Sequence, residues 1–139
     1  MKVRRTILED YNLLASWWTR RGGDAPPRSL LPELGVIAEE GGAPMACAFL
    51  YEIKGGVLAI VEWEATNPDC PSAMAKIRAL NMVFDFFEKY CSGQGIKVLL
   101  SWVKEGRGDG RLLERRAWKK MPGDRHEMMA INLQEAPCP

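Results

Sequence analysis

Apolar positions along the chain switch between two periods, and the switches mark the elements. Lys2–Arg5 reads as a short opening strand, and Thr6-Ile7-Leu8-Glu9 fits the S/T-x-x-E capping box that satisfies orphan amides at a helix start. Tyr11, Leu14 and Trp18 recur at helical spacing, Leu13 and Trp17 widen the stripe, and Gly22-Gly23 predicts the stop. Asp24–Pro32, with three prolines, reads as a loop with room for one short helical turn. Period two takes over in Gly35–Glu39, Met45–Ile53 and Val57–Thr66, separated by Glu40-Gly41-Gly42 and Lys54-Gly55-Gly56. Short glycine-containing connections between such runs predict antiparallel hairpins. In the middle run Cys47, Phe49 and Tyr51 take one face and Ala46, Ala48 and Leu50 the other, which predicts a strand covered on both sides.

The helical period returns in Ser72–Cys91, where Ala73, Ile77, Leu80, Phe84, Phe87 and Cys91 line one face. Lys76, Arg78, Asp85, Glu88 and Lys89 populate the other side, and Ser92-Gly93, with Gly95 two residues on, closes it. Ile96–Val103 alternates as a strand, Lys104–Gly110 is a charged loop, and Asp109 is placed to cap a short helix over Arg111–Trp118. Arg125–Leu133 is the last strand, and Gln134–Pro139 a tail. Strand, helix, three strands, helix, strand, helix, strand is the expected order. The long helix between two adjacent parallel strands makes one crossover in an otherwise antiparallel sheet, with helices on both faces: a mixed α/β layer fold. Residues 1–139 are read as a single domain.

Composition narrows the function classes. The 139 residues carry 19 Lys+Arg against 18 Asp+Glu, a net charge of +1, which argues against a wholesale nucleic-acid binder and against a solvated disordered chain. Apolar runs fall far short of the ~20 residues of a membrane helix. A charged N-terminus shows no secretory signal, so no membrane role and a cytoplasmic location are expected. Cys47, Cys70, Cys91 and Cys138 are scattered and, with the lone His126, offer no metal-ligand spacing, so reduced thiols and no metal are expected. The balance conceals a split. Lys104–Arg125 holds eight basic residues against four acidic, and residues 1–21 hold five against two, around an acidic middle. This suits attraction for an anionic ligand, a nucleic-acid surface, or simply a solvated helix face.

Three segments, in this order, resemble the GNAT family of N-acetyltransferases over nearly the whole chain. Val3-Arg4-Arg5-Thr6 followed by Asp10 is similar to the family's opening strand and first-helix signature. Glu62–Pro68, ending Ala65-Thr66-Asn67-Pro68, looks like the fourth strand running into the cofactor loop. Leu112-Leu113-Glu114-Arg115-Arg116-Ala117-Trp118 reads like the family's Leu-Tyr-Glu-Arg-x-Gly-Phe. The resemblance implies a GNAT-like, mostly antiparallel sheet with a splayed fourth and fifth strand pair, and acetyl-CoA as co-substrate in the cleft between them. Strand backbone around Ala65 and Asn67 would meet the pantetheine arm. The diphosphate would sit on amides of Ser72, Ala73, Met74, Ala75 and Lys76, where a helix N-terminus favours an anion, with Lys76 and Arg78 adding charge. Ser101 would contact the pantetheine or position a water.

The sequence departs from that pattern in two places. Asp69-Cys70-Pro71-Ser72-Ala73-Met74-Ala75 occupies the phosphate-loop stretch without a glycine, and Asp69 would repel a diphosphate unless turned outward. Leu113 stands where the family often has a tyrosine thought to protonate the leaving thiolate. Ala117 and Trp118 replace Gly-Phe, a change expected to be tolerable for packing.

Amide formation from a thioester requires a neutral amine, hence a base. Alternation on Val57–Thr66 puts Glu62 and Glu64 on one face beside Leu58 and Ile60, so either carboxylate is the candidate base. The alternative is that both are solvated or paired with Arg or Lys. His126 has a suitable ordinary pKa but fits a surface or packing place. Cys70 is an accessible thiol in the loop, and of Trp17 and Trp18 at least one should be core, leaving the other free to line an acceptor pocket with Asp24–Pro32. The expected function is acetyl transfer from acetyl-CoA directly to an unidentified amine, on a small molecule or a protein, with a homodimer as one arrangement. The alternative is a catalytically degenerate GNAT-fold protein acting as a CoA-binding or protein-interaction module.

Overall fold

The computed structural model describes residues 1–104, 108–121 and 126–133. The expected tail, residues 105–107 and Arg125 lie outside the described residues, while the ends of the expected Lys104–Gly110 loop belong to a strand and a helix instead. The chain forms β1 (Lys2–Arg5), a 3-10 turn (Leu8–Asp10), α1 (Tyr11–Arg20), a 3-10 turn (Arg28–Leu30), β2 (Leu34–Glu40), β3 (Ala43–Glu52) and β4 (Leu58–Thr66). It continues with α2 (Ala73–Gly93), β5 (Val98–Lys104), α3 (Gly108–Arg115), β6 (Lys119–Met121) and β7 (His126–Asn132). Strand order is β1-β2-β3-β4-β5-β7-β6. β4 and β5 are parallel, whereas β1–β2, β2–β3, β5–β7 and β6–β7 are antiparallel. This is the expected mixed sheet. β6 was not anticipated, because three residues are too few to show a period, and α3 begins three residues earlier than Arg111.

Two compact units divide the chain: Met1–Leu50 with Trp63–Phe86, and Tyr51–Glu62 with Phe87–Pro139. In the first, the register pairs Ile37 with Cys47 and Gly35 with Phe49 on one face. That face receives Leu14, Trp17 and Trp18 of α1, together with Ala65. Leu34, Val36, Ala38, Ala46, Ala48 and Leu50, on the opposite face, are buried as well, so β3 is covered on both sides as the sequence predicts, and β2 is too. Gly35 is required by a close approach: a Cβ there would stand 2.6 Å from Phe49 Cδ1 and from Thr6 Oγ1.

The opening signature has a structural meaning. Arg4 makes a bidentate bridge to Asp10 (2.7 and 2.8 Å) and donates from Nε to Glu39 at 2.5 Å. Hydrogen bonding from Arg4 holds both carboxyls below their ordinary range, against the opposing effect of burial. Asp10 also accepts from the Ile7 amide at 2.8 Å. The expected capping box is thereby shifted: the N-cap is Ile7, and Asp10 rather than Glu9 reaches back. Thr6 is still in extended pairing, its amide bonded to the Gly35 carbonyl at 2.9 Å.

In the second unit the parallel ladder runs from Leu58↔Val98 to Val61↔Ser101, and β5 pairs with β7 from Val98↔Asn132 to Lys104↔His126. Glu88 of α2 receives Arg116 Nε (3.1 Å), Arg116 Nη2 (2.8 Å) and Trp118 Nε1 (2.9 Å), fixing the chain just after α3.

The three α-helices among the described residues end in the same way. The C″ amide returns to the C3 carbonyl in α1 (Gly23 to Trp18, 3.3 Å), α2 (Ile96 to Cys91, 3.0 Å) and α3 (Trp118 to Leu113, 3.0 Å). This is the Schellman closure, whose C′ residue is left-handed. That residue is Gly22 (φ 80°) and Gly95 (φ 75°) in the first two, but Ala117 (φ 66°) in the third. The expectation for this replacement concerned packing alone; the backbone adds a cost, because a Cβ is strained in this region.

Candidate functional site

β4 alternates half-buried and buried residues from Leu58 to Glu62 and then stops. Trp63 then takes a positive φ of 60°, a conformation a bulky L-residue adopts only when its surroundings impose it. Those surroundings are visible. The Trp63 carbonyl accepts from Trp18 Nε1 at 3.1 Å and from Cys47 Sγ at 3.9 Å, and the two indoles meet edge to face at 6.1 Å. The alternation that puts Glu62 and Glu64 on one face assumes an extended residue between them, so that inference does not hold. Both glutamates are half-buried. Burial pushes the Cys47 thiol up, with the Glu64 charge adding to the rise, which keeps that sulfur protonated and unreactive.

Beyond the kink, Ala65 and Thr66 are buried, and Thr66 Oγ1 accepts from Arg21. The Asn67 amide is bonded to the Met45 carbonyl (2.8 Å), its Nδ2 donates to the Pro44 carbonyl (3.0 Å), and its Oδ1 accepts from the Asp69 amide (2.8 Å). Asn67 is thus placed to shape the loop, with its side chain already engaged. Asp69 is gripped by Arg20 through two bonds of 2.7 and 2.9 Å, and that hydrogen bonding lowers its pKa. The carboxylate that would repel an anion is countered by a guanidinium from α1. Cys70 is half-buried, with Sγ 3.6 Å from the Ser72 carbonyl.

Ser72 is the N-cap of α2. Its Oγ accepts from the Ala75 amide at 3.2 Å and its carbonyl from the Lys76 amide at 3.1 Å. Of the amides expected to meet a diphosphate, those of Ala75 and Lys76 are therefore already bonded within the chain. Ala73 and Met74 lie in the first turn, whose amides lack intrahelical acceptors, and both residues are exposed. Lys76 is half-buried, and exposed Arg78 stands 3.5 Å from Glu40.

In the second unit, Ser101 is completely buried in β5 between Val61 and Met129, and among the described residues its hydroxyl has no hydrogen-bond partner. Buried hydroxyls are nearly always satisfied, so Ser101 stands out as a buried polar group that the described residues leave unanswered. Leu113 is also fully buried and serves packing. Burial and the Glu52 charge push the Cys91 thiol up to about 12. Cys47, Cys70 and Cys91 are free thiols, as expected. The His126 side chain and Cys138 lie outside the described residues, and no metal-ligating cluster occurs among those described. No described helix is long and apolar enough to cross a membrane.

A pocket of 530 Å³ lies in the first unit, lined by the β1–α1 turn, Tyr11, Leu14, Phe49 and the segment Arg28–Glu33. The Tyr11 hydroxyl donates to the Pro26 carbonyl at 3.0 Å and ties the proline segment down beside it. Both tryptophans of the Trp17-Trp18 pair are buried, so neither lines the pocket. Sequence reasoning expected a pocket beside Asp24–Pro32, and Arg28, Leu31 and Pro32 of that segment do line one, but it missed the β1–α1 wall, the kink at Trp63, and the Arg20 and Arg21 contacts. None of these leaves a periodic signal.

No protein-family model matches the sequence, and no curated protein matches it. Solved structures do share its fold. The ribosomal-protein-S18-alanine N-acetyltransferase from Escherichia coli superposes with a TM-score of 0.76 at 12% identity, covering 95% of this chain and 93% of that one. The Salmonella typhimurium protein yncA, solved with its cofactor acetyl-CoA, gives 0.71 at 13% identity, covering 99% and 96%. N-acetylglutamate synthase from Neisseria gonorrhoeae, complexed with coenzyme A and N-acetyl-glutamate, gives 0.72 at 16% identity over 95% of this chain and 35% of its own. The GNAT fold expected from the sequence is the fold of this chain.

Proposed function

We propose that the chain is an acyl-CoA-dependent N-acetyltransferase that moves an acetyl group from acetyl-CoA directly to an amine. The carrying observation is the orphaned hydroxyl of Ser101, in the last pair of the β4–β5 ladder, within a fold shared with structures solved with acetyl-CoA or coenzyme A. Acetyl-CoA supplies a thioester whose acyl carbon a neutral amine can attack. Within the second unit the Ser101 hydroxyl is free to take a partner from the co-substrate; within the first, the start of α2 at Ala73 and Met74, with Lys76, favours a phosphate electrostatically. Arg20 keeps Asp69 neutralised beside that helix start. Glu62 or Glu64 takes the proton from the incoming ammonium, directly or through water.

The test is release of free thiol from acetyl-CoA across an amine panel. Glu62→Gln and Glu64→Gln are made singly, and loss of the base should cost at least about tenfold in turnover. Unchanged rates in both remove the carboxylates from the mechanism. A second reading, a catalytically idle protein that binds CoA or a protein partner, is favoured by buried Leu113, which offers no proton to a leaving thiolate. Acetyl-CoA binding with no thiol release from any amine selects it.

A further inference from the structure

We propose that the pocket beside the β1–α1 turn binds an α-amino acid with an apolar side chain, which deepens the acyl-transfer reading, and rests on it, by naming the class of acceptor. Its volume of 530 Å³ falls within the ~300–1,000 Å³ typical of small-molecule sites. Its wall is apolar, with Leu14 and Phe49 buried beneath. At the mouth, Ile7 and Leu8 remain 59% and 68% exposed. Singly exposed apolar residues are ordinary, but two in succession on the lip of a cavity leave a hydrocarbon surface for a ligand to cover.

The charges around the pocket decide the rest. Asp10 is committed to Arg4 and offers nothing further. Glu9, Glu33 and Arg28 also line the pocket, all exposed, and among the described residues none of the three forms an ion pair. Two carboxylates suit an ammonium. A guanidinium suits a carboxylate, which it engages in bidentate fashion. A fatty acid would leave both glutamates unanswered, and a plain alkylamine would leave Arg28 unanswered. An α-amino acid with an apolar side chain uses the two signs and the hydrocarbon wall together. Phe49 also sits in ring contact with Trp18 (centroids 6.1 Å apart), and Trp18 in turn holds the Trp63 carbonyl, so the wall of the pocket adjoins the kink in β4.

The test is calorimetric titration of the full chain, without acetyl-CoA, using L-phenylalanine, L-phenylalaninamide and 3-phenylpropionate. The amino acid should bind saturably, and each analogue at least about tenfold more weakly. Arg28→Ala should bring the amino acid down to the level of the amide while leaving the amide unchanged. The double variant Glu9→Gln/Glu33→Gln should do the same relative to 3-phenylpropionate. Absence of saturable binding at millimolar concentration, equal binding of all three compounds, or indifference to both variants overturns the proposal. Amino-acid binding by a chain that fails to bind acetyl-CoA sinks acyl transfer and keeps the pocket assignment. Acetyl-CoA binding without amino-acid binding does the reverse.

Discussion

Ala117→Gly should make the protein more stable, although the substitution removes a methyl group and touches no binding residue. Ala117 is the left-handed residue of the α3 cap, at φ 66°, where the equivalent positions after α1 and α2 hold Gly22 and Gly95. An L-residue in this region costs about 1–2 kcal/mol. Glycine relieves that cost but loses about 0.4–1 kcal/mol through the greater freedom of the unfolded chain. The difference favours the variant by about 0.5–1 kcal/mol, or roughly 2–4 °C in Tm for a domain of this size. The cap is otherwise preserved, since the Trp118 and Ala117 amides keep their bonds to Leu113 (3.0 Å) and Glu114 (3.1 Å). Urea unfolding should show a higher midpoint with an unchanged slope, because the surface exposed on unfolding is the same. Ala117→Val, β-branched at the same φ, should lower the midpoint. A variant with glycine that unfolds earlier than the parent would refute the strain argument.

The other predictions concern packing, titration and the orphan hydroxyl. Gly35→Ala should destabilise by about 1–3 kcal/mol in chemical denaturation, since its Cβ would stand 2.6 Å from Phe49 Cδ1. Arg4 lowers the Asp10 and Glu39 pKa values, so this stabilisation is complete above their unfolded values near 4 and is lost as pH falls through the depressed folded ones. Arg4→Met should therefore cost about 3 kcal/mol at pH 7, with the gap to the parent closing below about pH 4 in Tm-against-pH profiles; a gap constant with pH would exclude the ion pair as its source. Ser101→Ala should stabilise the ligand-free chain by about 1 kcal/mol, by removing an unsatisfied buried hydroxyl, and should weaken acetyl-CoA binding. The two effects are read by denaturation and by titration.

The long helix, the hairpins and the two-sided burial of β3 were legible because each imposes a period on many residues. Gly22 and Gly95 could be read as helix stops, since glycine advertises the left-handed cap. Ala117 could not, because alanine conceals the same geometry. The Arg4 and Asp10 pair was visible only as a motif, and its meaning emerged when Glu39 from a distant strand joined it. Trp63 shows why spacing alone does not place Glu62 and Glu64 on one face: alternation presumes an extended backbone, and Trp63, whose carbonyl accepts from Trp18 45 residues away in sequence, is not extended. The pocket and its charges come from segments that no local pattern brings together.

Thermal unfolding of the native chain with and without acetyl-CoA tests the proposed chemistry most directly. A co-substrate that binds only the folded state at one hundred times its Kd should add about 2.7 kcal/mol of stability, several degrees in Tm, with desulfo-CoA and free phosphate as controls. A concentration-dependent rise with acetyl-CoA is the expected result. No shift at millimolar acetyl-CoA would contradict the assignment of this fold to acyl transfer in this chain.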